Sequence, residues 1–172
     1  MFEKLKRRSL KKRIDQNLKN RDTSEINSEM KTLGFLIEEA LIPDLEVFDS
    51  FVLDFGLQSK NVKIFSFEEV KKRIPSMQQN QANNKDFNWK GELNNQNAKE
   101  FLEKPFDVLV GYYVGPHEFM DLMISTSKAS FKVGFPGGDE RLFDLIIALD
   151  PKNVEEFKIE LKKYLTVLSK LA

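Results

Sequence analysis

FDVLVGYYVGPHEFMDLMISTSKASFKVGF, residues 106–135, decides the fold class. Asp107 to Val114 is a continuous apolar run, the pattern of a strand buried on both faces, where alternation disappears. Gly115 and Pro116 turn the chain. From about His117 to Ser127, Phe119, Leu122 and Met123 fall on one side of a helix. Ser130 to Phe135 is a second apolar run. Strand, helix and strand in this order form a βαβ unit, and such units build parallel sheets.

The same alternation extends in both directions. Downstream, PGGDE (136–140) is a loop and LFDLIIAL (142–149) a last strand. Asp150, Pro151 and Asn153 open a C-terminal helix whose apolar residues Val154, Phe157, Leu161, Tyr164, Leu168 and Leu171 recur at spacings of three and four. Upstream, TLGFLI (32–37) is the first strand. A helix follows from Pro43, with Leu45, Phe48, Phe51, Val52 and Phe55 as its inner stripe and Gly56 as its cap. NVKIFSF (61–67) is the second strand, and EEVKKR (68–73) a helix or turn stopped by Pro75. Ser28 to Lys31 admits a further short helix, and Asn97 to Glu103 another, ended by Pro105. Between them, residues 76–97 are half Asn and Gln. Within that insertion DFNWKGEL (86–93) reads as a short edge strand between mobile polar loops. The expected architecture is a three-layer α/β domain over residues 22–172, with a mostly parallel Rossmann-like or flavodoxin-like sheet of about five or six strands.

Composition narrows the function classes. The 172 residues are 41% hydrophobic, with fifteen Phe and no Cys. That removes disulfides, thiolate metal sites and cysteine nucleophiles. No apolar run is long enough to span a bilayer, and the charged start is unlike a signal peptide. A cytoplasmic protein is expected, and the richness in Lys, Asn, Ile, Phe and Glu fits an AT-rich bacterial genome.

The net charge of zero conceals an asymmetry. Residues 1–21 carry nine basic and two acidic side chains, and the remainder eighteen basic and twenty-five acidic. The segment reads as a basic helical arm over residues 2–20, with Leu10, Ile14 and Leu18 four apart. Lys4, Lys6, Arg7, Arg8, Lys11, Lys12 and Arg13 form its cationic surface. Such a helix lies on an anionic membrane or an acidic protein, contacts nucleic acid phosphates, or docks on its own acidic body through the Leu10 stripe. Peripheral contact at the inner membrane face follows from the first of these. The stripe at 154–171 serves either as a homodimer seam or as a face packed on its own sheet.

In an open parallel sheet, ligands bind beyond the carboxyl ends of the strands. Three such ends carry chemistry here: Glu38 and Glu39, then Gly115, His117 and Glu118, then Gly137, Gly138 and Arg141. His117, the only histidine, opens a helix and serves as base, ligand or plain turn residue; one histidine builds no typical zinc site. Gly137 and Gly138 offer backbone N–H groups to an anion, with Arg141 as a bidentate partner, although Asp139 and Glu140 oppose one. Glu38, Glu39 and Asp139 are candidate ligands for a divalent cation, and a solvated helix start is the alternative. Phe87, Trp89, Tyr112 and Tyr113 either stack on a ring or fill the core. No nucleophile elbow, carboxylate pair or triad order is present. No cofactor is named by these residues.

Residues 106–135, DERLFDLIIAL (139–149) and FKIELKKYLTVLSKL (157–171), with KRRSLKKRI (6–14) and DFNW (86–89), resemble a family of uncharacterised bacterial proteins of about this length. That resemblance covers most of the chain and implies no activity. FDVLV (106–110), a helix, then ASFKVGF (129–135) is also similar to the acceptor-side half of heptosyltransferase-type glycosyltransferases. This second likeness implies an α/β half-domain. Glu38-Glu39-Ala40 replaces the Gly-Asp loop of that family, and the chain is too short for its sugar-nucleotide domain, so no catalytic residue carries over. Together these readings point to a non-enzymatic binding or scaffolding protein whose basic helix contacts an acidic surface. The alternative is a small-molecule or phosphate-ligand protein, or an enzyme, using the sheet rim.

Overall fold

The computed structural model describes residues 2–72 and 78–171. Its six strands are β1 (Leu33–Glu38), β2 (Val62–Glu68), β3 (Gln81–Asn83), β4 (Val108–Tyr112), β5 (Lys132–Gly134) and β6 (Leu145–Ile146). They form one sheet in the order β3-β2-β1-β4-β5-β6, with every neighbouring pair parallel. This is the doubly wound order in which the chain starts at the centre and builds outward in both directions, the Rossmann arrangement rather than the flavodoxin one. The helices are α1 (Phe2–Lys19), α2 (Ser50–Asp54), α3 (Gln96–Glu103), α4 (Glu118–Thr126) and α5 (Val154–Val167).

The central strands alternate between two cores. Leu33, Phe35 and Ile37 of β1, with Val108, Val110 and Tyr112 of β4, pack on α2 and α5. Leu36, Leu109 and Tyr113 pack on α3 and α4. Both sets are apolar because both faces are covered, which is why neither strand shows polar alternation. Phe35, Phe48, Phe51, Tyr112 and Phe157 meet with ring centroids about 5 Å apart, and the Tyr112 hydroxyl donates to the Pro151 carbonyl at 2.5 Å. The α5 stripe therefore packs on the chain's own sheet, with Leu165 rather than Tyr164 in its buried row.

The arm is docked. Leu10 is fully buried and Ile14 nearly so, in the same core as α3 and α4. Burying one such side chain contributes about 1.5–3 kcal/mol. Arg7 pairs with Glu118 at the start of α4, and Asn17 bonds Ser125 and Thr126 at its end. The two helices thus lie side by side and run the same way. Phe119 to Ser125 of α4 are all buried, since the sheet covers one flank and α1 another. Arg21, just past the arm, forks onto both Asp144 oxygens at 2.7 and 2.8 Å.

Several local expectations are corrected. DFNWKGEL is a tight turn, and the edge strand is Gln81–Asn83. Asn88 Oδ1 accepts from the Lys90 and Glu92 N–H groups, which bends the chain where a strand would extend it. Gly91 sits at φ +77°, and a Cβ there would press on the α1 backbone at 3.3 Å. The amides of Asn84 and Asn95 bond the backbone of Val70, Gln81 and Ala98. The Asn-rich composition around them is therefore structural rather than loop filler. Ser28 to Lys31 is not helical; Lys170 reaches across and donates to the Ile26 and Ser28 carbonyls. The helix after Pro43 is split into a 3-10 turn at Leu45–Phe48 and the short α2. The last strand shrinks to two residues because β6 is an edge paired only to β5. The stop expected at Pro75 lies outside the described residues.

Lys132 is a buried lysine of this framework. It is 2% exposed, and its Nζ donates to the Ile124 carbonyl at the end of α4 at 2.6 Å. Burial, with the Arg21 charge adding to it, lowers its pKa to about 7. From about pH 7 to the usual lysine range the unfolded chain holds a proton that the folded chain lacks, so folding stability rises with pH across that window. Lys132→Met should flatten this rise, as read from urea unfolding at pH 7 and pH 9. An equal rise in both proteins would show that Lys132 stays charged in the fold.

Candidate functional site

The strand order reverses between β1 and β4, and their carboxyl ends adjoin there. β1 ends on Glu38. Three residues beyond β4 the chain reaches Gly115, whose Cβ would lie 2.8 Å from the Gly138 Cα. Only glycine fits this approach. Gly137, at φ +111°, turns the β5 loop to meet it. His117 caps α4: its Nδ1 accepts the Met120 N–H at 3.3 Å, so the neutral ring carries its proton on Nε2. That Nε2 is buried without a hydrogen-bond partner among the described residues, and Glu38 Oε1 stands 3.8 Å away. Phe67 meets the ring edge-on at 5.2 Å.

Beneath this pair lies a polar contact that sequence reasoning missed. The Tyr113 hydroxyl donates to Asp121 Oδ1 at 2.5 Å, and Asp121 Oδ2 accepts the His117 N–H at 3.3 Å. Burial raises the Asp121 pKa, although both hydrogen bonds work against the rise. The Tyr113 hydroxyl is pushed well up by its own burial and by the neighbouring Asp121 charge. An aspartate four residues after a helix cap reads as a solvated polar position, and only the fold reveals the tyrosine facing it.

The other candidates are placed as follows. Glu39 turns away toward β2 and β3, where it accepts from Ser66 at 3.3 Å and Gln81 at 2.5 Å. Glu118 pairs with Arg7 on α1. Arg141 is held by Asp139 at 2.7 Å and by Asp15 of α1 at 3.0 Å, so its guanidinium is already engaged. Arg141 in turn holds the Asp139 carboxyl below its ordinary range. Among the described residues no trio of His, Asp or Glu is placed to hold a metal ion, so Glu38, Glu39 and Asp139 do not converge into one. Glu38 and His117 are the two rim side chains that the fold brings together, beside the Gly115–Gly138 approach. With Asp121 and Asp139 close by, their surroundings are acidic and disfavour a phosphate. Phe87, Tyr112 and Tyr113 fill the core, and Trp89 is 56% exposed.

On the arm, Lys6 is buried and donates to the Asn84 carbonyl at 2.7 Å, and Arg13 donates to the Lys90 carbonyl at 2.9 Å. Lys4, Arg8, Lys11 and Lys12 are exposed. Among the described residues no helix is long and apolar enough to cross a membrane.

This topology defines a doubly wound α/β protein. The chain belongs to a family of unknown function (DUF6913), whose model matches residues 6–168. No curated protein and no solved structure matches it.

Tyr113→Phe should leave Asp121 buried with one donor fewer and cost about 1–3 kcal/mol in urea unfolding. A loss below about 0.5 kcal/mol, the range of ordinary surface substitutions, would show that the pair contributes little.

Proposed function

We propose that this is a non-enzymatic binding protein that rests on an anionic membrane surface through the outer face of α1. One observation carries the reading. Lys4, Arg8, Lys11, Lys12 and Lys19 fall on one side of the helix at 3.6 residues per turn, all exposed. None of them joins an ion pair among the described residues, whereas Arg7, Arg13 and Arg21 do. Phe2 and Leu5 stand exposed at the leading end of the same helix, suited to enter the headgroup layer. At about 1 kcal/mol per basic residue near such a surface, the five cations supply about 5 kcal/mol at low salt. Because α1 is already held on α4, binding orders no new segment, and that saving favours contact. The cytoplasmic and bacterial setting read from the sequence belongs to this proposal, with α1 against the inner membrane face.

The protein should sediment with vesicles containing phosphatidylglycerol, less so as salt rises, and not with phosphatidylcholine alone. The triple substitution Lys4→Glu, Arg8→Glu, Lys11→Glu touches no ion pair and should release it while far-UV circular dichroism stays unchanged. Equal sedimentation with neutral vesicles, or an unaffected triple variant, refutes the reading. Tighter binding to duplex DNA at the same salt would reassign the face to nucleic acid.

A second reading draws on His117 and Glu38 at the switch point. The buried His117 Nε2–H has no hydrogen-bond partner among the described residues, and with the Glu38 carboxylate it would suit the hydroxyl group of a small neutral ligand admitted by a local opening of the rim, in keeping with the likeness to a sugar-transferring half-domain. A saturable thermal shift with free sugars or nucleotide sugars, lost in His117→Ala, supports this reading. A flat response across both sets ends it.

A further inference from the structure

Between α1, the turn after Phe87, α3 and α4 lies an open groove of about 570 Å³. This is within the usual range for small-molecule sites, roughly 300–1,000 Å³. Its floor is apolar: Phe87, Leu102, Leu122 and Met123 are buried core residues, and Leu93 packs beside them. Docking of the arm creates this groove, because Arg13, Gln16 and Asn17 of α1 form one wall. The Asn88 turn, whose glycine is pressed onto α1, forms the adjoining wall, and Lys99, Leu102 and Glu103 of α3 line another side.

The charges around the mouth are uneven. Glu92 is hydrogen-bonded by Asn88 Nδ2 at 2.7 Å and paired with Arg13 at 3.4 Å, so its own charge is satisfied. Arg13, Lys90 and Lys99 all act on that one carboxylate. Lys99 is exposed, lines the groove and has no ion-pair partner among the described residues. Glu103, one turn further along α3, would repel an anion at its own end. An anionic head is therefore favoured near Lys99, the groove-lining cation with no ion pair among the described residues, with an apolar body on the floor.

We infer that this groove binds a small amphipathic carboxylate, an aryl or alkyl chain ending in one acid group. The site is separate from the membrane face, since Lys4, Arg8, Lys11, Lys12 and Lys19 do not line it. Failure of either idea leaves the other standing.

Trp89, the only tryptophan, sits on the Asn88 turn and reports on this wall. The full chain would be titrated with phenylbutyrate, phenylbutanol and phenylbutylamine, followed by Trp89 fluorescence and by calorimetry. Phenylbutyrate should bind saturably and about tenfold more tightly than the alcohol, the value of one charged contact near 1.4 kcal/mol. The amine should be the weakest of the three. Lys99→Glu, a change at an exposed unpaired position, should remove the preference for the acid. Thr126→Phe, at the exposed edge of the groove, should abolish binding of all three while circular dichroism is kept. Equal binding of acid, alcohol and amine overturns the inference, as does the absence of both heat and fluorescence change with the acid. Binding that survives Thr126→Phe places the ligand elsewhere and overturns it equally.

Discussion

Seven successive residues of α4 are out of water because the sheet packs on one flank and α1 on another. A helix so enclosed must satisfy its polar groups locally. Ser125 and Thr126 return their hydroxyls to the Leu122 carbonyl, Asp121 takes the Tyr113 hydroxyl, and the buried Lys132 meets the Ile124 carbonyl. The arm's cations are divided by the same arrangement. Those facing the body bond to carbonyls and carboxylates, and those facing outward join no ion pair among the described residues. Both the groove and the basic face exist because Leu10 and Ile14 are buried against this helix.

The fold was largely legible. Residues 106–135 form the βαβ unit as read, because a strand covered on both faces leaves an uninterrupted apolar run and Gly-Pro marks its end. The parallel sheet and the docked C-terminal stripe followed from the same periodicities. What failed were elements decided by single side chains. Asn88 bends DFNWKGEL by bonding its own backbone neighbours, which hydrophobic alternation cannot reveal. Edge strands also shorten where only one neighbour supplies hydrogen bonds, as β6 does.

The rim was legible in position and only partly in content. Strand ends placed Glu38, His117 and the two glycines on one crevice, and the fold brings these together. Glu39, Glu118 and Arg141 lie at the same level but are drawn off, Glu39 and Glu118 by the distant Ser66 and Arg7, and Arg141 by its near neighbour Asp139. The groove had no sequence signal, since it is formed by four segments that meet only in space. The arm carried a mixed signal. Its charge suggested an outward contact and its Leu10 stripe an inward one; the fold shows the inward one, with Leu10 and Ile14 buried.

Lys170 ties the stretch before β1 to the end of α5, with the Met30 N–H donating to the Lys170 carbonyl at 2.9 Å as well. The α/β body thereby closes into a ring, with residues 28–30 beside residue 170 and the arm leading in just before that seam. Opening either segment then exposes the other, so residues 26–30 and the end of α5 should exchange their amide hydrogens together, as one cooperative unit.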